Sequence, residues 1–210
     1  MAFRPLGLPG FRELDRGTAA LSPLGPGLGD PWSDAAGLSL AEVCRALGGS
    51  AGRVGIAAFY DPQCPICRRL LPRLSQVAAD AGVTLVHHVL TGLGPASEIA
   101  ARATVAARAQ GLEEPMRQRL LRARLVVDSA YVAAIAGGLG ADPARLGRDM
   151  ADGAVTAELA RSAALARALG ILGTPATLIG RTLVSGDMTA DAIVALIERE
   201  RAEVSPGPCS

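Results

Sequence analysis

Two cysteines separated by two residues are the part of this sequence best suited to chemistry. Cys64 and Cys67 enclose Pro65 and Ile66, directly after an apolar run at residues 54–60. A cysteine thiolate can attack a disulfide, and a second thiol nearby can then resolve the mixed disulfide. The same spacing also occurs in half of a zinc site. By itself the motif therefore leaves a redox pair, a metal site and a chance occurrence open.

The elements around the pair favour a redox site. The apolar run at residues 54–60 predicts a buried strand, and Pro65 suits the first turn of a helix over residues 65–80. Cys64 would then lie where the free N–H groups at a helix N-terminus favour a negative charge, with Cys67 one turn on. We expect Cys64 to be the accessible, attacking thiol and Cys67 to be more buried and protonated.

The rest of the chain predicts one sheet domain with helices inserted into it. Ser39 and Glu42 fit a capping box at the start of a short helix. Further strands are predicted at residues 83–90, 176–179 and 182–185, and a closing helix runs from Thr189 to about residue 202. Residues 94–170 show helical patterns throughout, with helix starts at Pro95, Ser129 and Asp142.

These patterns give an α/β chain with four parts. Residues 1–38 form an extended leader without a catalytic role, and residues 204–210 form a flexible tail. Residues 39–92 and 171–203 form the sheet domain, and residues 93–170 form the all-helical insertion. If the two strands after the insertion did not join the first sheet, they would be an isolated hairpin of marginal stability.

Composition excludes several classes of function. Half of the 210 residues are hydrophobic, and the net charge is +1, so neither nucleic acid nor an acidic surface is an expected partner. All 21 basic residues are arginine, which we attribute to a biased genome. No signal peptide or membrane anchor is recognisable in this chain.

At this point the sequence resembles the DsbA family of thioredoxin-fold oxidoreductases. The resemblance rests on the segment 59–67, Pro72, the inserted helices, Gly94-Pro95 and Gly173-Thr174-Pro175, and covers residues 50–203. It implies a thioredoxin fold interrupted by an all-helical insertion. It also implies that Cys64 attacks disulfides, that Cys67 resolves the mixed disulfide, and that a cis Thr174–Pro175 loop binds the substrate backbone.

The resemblance implies how such a protein works in its cell. It would be a protein disulfide oxidoreductase that oxidises cysteine pairs in secreted or envelope proteins without a cofactor. We expect a monomer whose substrates are cysteine-containing proteins and whose active pair is recycled by a membrane redox partner. A periplasmic or envelope location follows, because cytosolic systems keep thiols reduced. The signal or anchor would then be absent from this chain.

Three departures from enteric family members keep a reductase or isomerase open as the alternative. The dipeptide between the cysteines is Pro65-Ile66 where those enzymes have Pro-His, and Thr174 replaces a common valine. Ala58 stands where many thioredoxin-fold enzymes carry a buried acid. These departures concern the direction of electron flow and leave the exchange chemistry itself in place.

Other candidate residues carry weaker hypotheses. Metal binding by the pair ranks lower, because zinc needs four ligands and His87, His88, Cys44 and Cys209 have unsuitable spacings. A chaperone without redox turnover ranks equally low.

For the individual residues, we expect one of the two histidines to face solvent and the other to pack. Cys44 is interpreted as a small buried apolar residue, Cys209 as an exposed residue, and Asp61 as a turn residue. Four arginines are expected on a solvated face: Arg117, Arg119, Arg122 and Arg124.

Overall fold

The computed structural model describes residues 2–6, 10–15, 22–23, 39–48, 53–123 and 126–203. The strands are β1 (Ala2–Pro5), β2 (Arg12–Asp15), β3 (Ser22–Pro23), β4 (Gly55–Tyr60), β5 (Thr84–Val89), β6 (Gly173–Thr174), β7 (Ala176–Ile179) and β8 (Thr182–Ser185). The helices are α1 (Leu40–Ala46), α2 (Pro65–Asp80), α3 (Pro95–Ala106), α4 (Glu113–Leu121), α5 (Ser129–Gly138), α6 (Pro143–Met150), α7 (Gly153–Ala168) and α8 (Ala190–Ala202). A short 3₁₀ turn at Ala107–Gln110 links α3 to α4.

One mixed sheet forms the centre of the molecule. Its strand order is β1-β2-β8-β7-β4-β5. β4 pairs parallel with β5 and antiparallel with β7, and β7 pairs antiparallel with β8. The strands on either side of the helical block therefore join one sheet, as the sequence predicts. The fold is a thioredoxin fold interrupted by helices, which confirms the predicted fold class.

Alternation along β4 directs side chains to two different cores. Ile56 and Ala58 pack against α2 and α8 on one face of the sheet. Ala57 and Phe59 pack on the other face, together with side chains of α1 and the end of α7. All six residues of β4 are buried, which is why the strand reads as a continuous apolar run.

The inserted helices build a third core that contains the active pair. Tyr60, Cys64 and Cys67 belong to one apolar cluster with side chains from α3, α4, α5 and α6. α3 contributes mostly alanine side chains to this cluster. The predicted helix starts are observed, because α3 begins at Pro95, α5 at Ser129 and α6 at Pro143 behind the cap Asp142.

The first part of the chain, predicted as an extended leader, contributes strands to the sheet. β1 and β2 form a hairpin, and β2 adds to the sheet parallel to β8, with Arg12 opposite Thr182. The Arg12 guanidinium pairs with Glu200 at 2.6 Å and with Glu203 at 2.9 Å, which ties β2 to α8. Short strands of mixed composition show little hydrophobic periodicity. The sequence therefore did not predict β1 and β2, which depend on the pairing of β2 with the distant strand β8.

Candidate active site

Cys64 occupies the position expected of an attacking thiol at a helix N-terminus. It caps α2, and Pro65 follows in the first turn. A tight turn connects β4 to α2. In this turn the Cys64 N–H donates a hydrogen bond to the Asp61 carbonyl at 3.0 Å. The Cys67 N–H donates to the Cys64 sulfur at 3.2 Å. A backbone donor and the start of a helix thus both face the sulfur that must carry a negative charge.

Cys67 lies one helical turn further on and is fully buried. Both cysteines are free thiols in this structure. Burial raises the pKa of the Cys67 thiol far above its ordinary value, and the neighbouring Cys64 raises it further. The backbone of Asp61 and the side chain of Thr174 act in the opposite direction and favour the Cys67 thiolate. Cys67 therefore remains protonated at neutral pH, as expected of a resolving thiol.

The Thr174–Pro175 loop lies against the pair. Its peptide bond is cis, and the Cys64 sulfur lies 3.6 Å from the Thr174 carbonyl oxygen. Thr174 is buried. The fold thus brings together Cys64, Cys67, Thr174 and Pro175, which come from two distant segments of the chain.

The dipeptide between the cysteines forms the outer surface of the site. Pro65 is exposed and Ile66 is half-buried. Ile66 packs against the apolar cluster shared with the inserted helices. Neither side chain carries a polar group, so the charge of the Cys64 sulfur depends on backbone donors rather than on this dipeptide.

The burial of Cys64 differs from the expectation of an accessible thiol. Its exposed fraction is 1%, close to the 0% of Cys67. Beside it, β6 pairs antiparallel with β3, which places Ser22 opposite Thr174 and Pro23 opposite Gly173. The leader therefore reaches the same backbone edge that the sequence assigns to substrate.

Asp61 has a larger structural role than a turn residue. Its side chain is 0% exposed and accepts hydrogen bonds from the Gln63 N–H at 2.8 Å and the Leu93 N–H at 3.2 Å. The buried Ser97 hydroxyl donates to the second carboxylate oxygen at 2.5 Å. Burial raises the pKa of the Asp61 carboxyl, although these donors act to lower it. Sequence reasoning missed this role because the partners lie beyond β5.

The two histidines point to opposite faces of β5, and neither is the solvent-facing residue that we expected. His88 stacks on Phe59 with ring centroids 4.8 Å apart, and its Nε2 lies 2.9 Å from the Ala46 carbonyl oxygen. His87 packs edge-on against Tyr60 at 6.1 Å. Burial lowers the pKa of both, that of His87 to about 3. The parallel neighbour β4 and the packed helices cover part of both rings, and both residues are half-buried.

Of the four arginines expected on a solvated face, Arg119 and Arg122 are exposed. Arg117 is only 6% exposed and pairs with Glu114, so it does not belong to a solvated face. It lies close to Tyr60, where burial lowers its pKa. Arg68 donates to the Ala123 carbonyl oxygen at 2.6 Å, and Arg69 lies 3.7 Å from Asp187. The prediction for Arg124 lies outside the described residues.

Cys44 lies in α1 and is not part of the site. It is buried, as expected, but it is disulfide-bonded, which corrects its interpretation as simply a small apolar residue. The prediction for Cys209 lies outside the described residues. Within the part of the chain that the structure covers, no three His, Cys, Asp or Glu side chains converge to hold a metal ion. In the same part of the chain, every helix is too short or too polar to span a bilayer.

Comparison with known structures places this geometry among oxidoreductases. A thioredoxin-like oxidoreductase from Silicibacter pomeroyi DSS-3 is 36% identical, with a TM-score of 0.69 over 75% of this chain and 92% of that chain. A periplasmic thioredoxin-like protein from Salmonella enterica serovar Typhimurium is 24% identical, with a TM-score of 0.65 over 77% of this chain and 97% of that chain. The thiol–disulfide exchange protein alpha-DsbA2 from Wolbachia pipientis is 21% identical, with a TM-score of 0.65 over 70% and 81% of the two chains.

At these levels of identity, the Salmonella and Wolbachia structures show only that the fold is shared. No functionally curated protein matches the sequence. Residues 55–198 match the family model of the DSBA-like thioredoxin domain, from the first residue of β4 into α8. Because this match spans more than half of the chain, the protein belongs to the DSBA-like family of thiol–disulfide oxidoreductases.

Proposed function

We propose that this protein oxidises cysteine pairs in secreted or envelope proteins through Cys64 and Cys67. The observation that carries the proposal is the 3.2 Å hydrogen bond from the Cys67 N–H to the Cys64 sulfur at the N-terminus of α2. A donor in this position stabilises the Cys64 thiolate and hence the reduced form of the pair. A protein whose reduced form is stabilised passes its disulfide on to clients.

Oxidation of a client takes two exchange steps. A client thiolate attacks the Cys64 sulfur of the Cys64–Cys67 disulfide, so a client–Cys64 disulfide forms and Cys67 leaves as a thiolate that takes up a proton. The second client thiolate then attacks the client sulfur of this mixed disulfide. The client disulfide forms, and Cys64 leaves as a thiolate. The client loses two electrons, and the cysteine pair gains them.

Features around the pair suit an unfolded polypeptide as client. The Gly173–Thr174 edge can pair with an extended backbone, because β6 already pairs in this way with β3. The residue before β6, Leu172, is 72% exposed, and Ile66 offers further apolar surface. Apolar contact combined with backbone pairing makes few demands on the sequence of the client.

Location and recycling follow from the same chemistry. An oxidising pair needs a compartment that does not reduce it at once, which favours the periplasm or envelope. Each round leaves two free thiols, so a partner must remove two electrons, and we propose a membrane redox protein for this step. The 24% identical Salmonella protein is described as periplasmic.

A reductase or isomerase is the alternative within the same family. The observation that favours it is that Pro65 and Ile66 supply no cationic side chain to Cys64. Without such a charge the Cys64 thiolate is stabilised less, which favours the disulfide form of the pair and hence the reduction of clients.

The reduction potential of the pair separates these functions. The protein is equilibrated in glutathione buffers, alkylated and digested with trypsin, and the peptide at residues 54–68 is followed by mass because it holds Cys64 and Cys67 and no other cysteine. A value near about −120 to −160 mV identifies an oxidase. A value near about −230 to −270 mV identifies a reductase or isomerase. A pair that never forms a disulfide overturns both functions.

A further inference from the structure

The Asp187 carboxylate joins the active-site helix α2 to the segment that follows β8. Its Oδ1 accepts a hydrogen bond from Nη1 of Arg73 at 2.9 Å, and its Oδ2 lies 3.7 Å from Nε of Arg69. Arg73 also donates to the Met188 carbonyl oxygen. The two arginines lie before and after Pro72, which is inside α2. Because proline lacks the N–H of a regular helical hydrogen bond, the bridge through Asp187 holds together a part of α2 where one such bond is missing.

The same segment is bonded to the cis-proline loop. Gly186, directly before Asp187, donates its N–H to the Pro175 carbonyl oxygen at 2.8 Å. Gly186 has φ +86°, a conformation that glycine adopts without strain. At its other end, the loop brings the Thr174 carbonyl oxygen to 3.6 Å from the Cys64 sulfur. The loop therefore has a direct contact with the start of α2 and a second contact, through Gly186 and Asp187, further along the helix.

We propose that Asp187, held by Arg73, is a positioning residue for thiol–disulfide exchange with clients. It keeps the Gly186 N–H on the Pro175 carbonyl and so fixes the cis-proline loop relative to α2. The inference rests on the proposed function, in which a client cysteine must meet Cys64 while the client backbone lies on this loop. A displaced loop would hold the client cysteine away from the Cys64 sulfur and slow exchange. The reactivity of Cys64 toward a small reagent does not require the loop.

The first measurement is the rate of exchange with a client peptide. A reduced dicysteine peptide is mixed with the oxidised full-length protein, and the disulfide form of the peptide is mixed with the reduced protein. Arg73→Gln and Asp187→Asn each break the ion pair. We expect each to lower the second-order rate constant about fivefold, in the direction of exchange that the unsubstituted protein favours. The two side chains are 33% and 35% exposed, so the pair contributes little to stability and both variants should fold.

The double variant shows whether the two residues act through their bond. If they do, Arg73→Gln/Asp187→Asn slows exchange no more than the slower of the two single variants. Alkylation of Cys64 by iodoacetamide as a function of pH, with each substitution placed in a Cys67→Ser background, gives a readout of a different kind. We expect its rate to change by less than about twofold in either variant, because the Cys67 N–H and the N-terminus of α2 remain in place.

Arg145→Gln is the matched control. Arg145 of α6 likewise lies near a carboxylate, that of Asp149 at 3.5 Å, and likewise donates to a carbonyl oxygen, that of Ala109 at 3.2 Å. Its loss removes the same kind of contacts from the helical insertion, away from α2. This variant should change neither the peptide rate constant nor the alkylation of Cys64.

Three results would overturn the inference. Peptide rate constants equal to that of Arg145→Gln would show that the loop does not depend on the pair. Additive slowing in the double variant would show that Arg73 and Asp187 act separately. Opposite shifts of the alkylation profile would show that the two charges act on Cys64 directly, because one variant removes a positive charge and the other a negative one. Absence of exchange in both directions by the unsubstituted protein would overturn the proposed function and this inference with it.

Discussion

The Cys64 sulfur lies 3.6 Å from the Thr174 carbonyl oxygen, although 110 residues separate the two in sequence. This contact closes the site between the N-terminus of α2 and the cis-proline loop. Cys64 thereby has polar neighbours on two sides, the Thr174 carbonyl and the Cys67 N–H. Cys67 lies behind it, where burial raises the pKa of its thiol. The two thiols should therefore differ strongly in reactivity.

Alkylation of single-cysteine variants measures that difference. Cys67→Ser leaves Cys64 as the reactive thiol, and Cys64→Ser leaves Cys67. We expect iodoacetamide at pH 7 to modify Cys64 at least about a hundredfold faster than Cys67, because the nucleophile is the thiolate, and the Cys67 N–H and the N-terminus of α2 favour that form at Cys64. Mass analysis of the peptide at residues 54–68 follows both reactions. Equal rates would contradict the assignment of Cys67 as the resolving thiol.

The half-buried histidine His87 makes stability depend on pH. Burial lowers its pKa from 6.5 to about 3, and the charges of Arg117 and His88 act in the same direction. Between these values the unfolded chain binds a proton that the folded protein does not. The free energy of unfolding must therefore decrease as the pH falls below about 6.5, by up to about 1.4 kcal/mol for each pH unit.

Replacing His87 isolates its contribution. His87→Phe keeps a ring against Tyr60 but cannot bind a proton, so urea unfolding from pH 7 to pH 4 should show a weaker loss of stability. Asp61 contributes with the opposite sign, because burial raises its pKa, and stability from that group falls as pH rises. The contribution of Asp61 is the same in the unsubstituted protein and in His87→Phe, so it cancels when their free energies of unfolding are subtracted. Identical pH dependence of the two proteins would contradict the burial of His87.

Local signals in the sequence predicted the elements that carry the site. The helix predicted at residues 65–80 is α2, Pro65–Asp80, and the strands predicted at 176–179 and 182–185 are β7 and β8. Proline at a helix start, capping residues and apolar runs act within a few residues, so one sequence is enough to read them. The capping box of Ser39 and Glu42 is likewise present.

Contacts between distant segments were not predictable in the same way. Nothing near Arg12 indicates that its strand pairs with β8, and nothing near Arg117 indicates that its guanidinium is buried beside Tyr60. The Asp61 side chain follows the local turn rule and also bonds Ser97. These contacts depend on which surfaces meet in the folded protein, and they cannot be inferred from local patterns in a single sequence.

The turn between β7 and β8 should be intolerant of a side chain. Gly180 has φ +57°, and a Cβ there would lie 2.6 Å from Oε2 of Glu200, whose carboxylate pairs with Arg12. Gly180→Ala should lower the free energy of unfolding by about 2–3 kcal/mol, through backbone strain and the disturbed Glu200. Gly82, with φ +61° and open space around it, is the matched control.

Gly82→Ala adds the backbone strain alone, so we expect a loss of about 1 kcal/mol. Urea unfolding of both variants at pH 7 gives the two values. Equal losses at the two positions would mean that Glu200 moves away without cost and that its bond to Arg12 contributes little to stability.

The leader reaches the site at the residue that contacts Cys64. Ser22 pairs with Thr174, and Pro23 pairs with Gly173. Cys64 itself is 1% exposed. A client that pairs with the same edge must displace β3, so this pairing should slow reaction with peptides. It should not slow reaction with dithiothreitol, which has no peptide backbone to pair.

Removal of a single backbone donor tests this competition. Pro23 has no N–H, so Ser22 carries the one backbone donor of β3, and Ser22→Pro removes it. Ser22→Ala keeps the donor and serves as the control. We expect Ser22→Pro to increase the rate constant for a reduced dicysteine peptide with the oxidised protein by about three- to tenfold. Its rate with dithiothreitol should remain that of Ser22→Ala. Equal peptide rates in the two variants would show that β3 does not compete with clients.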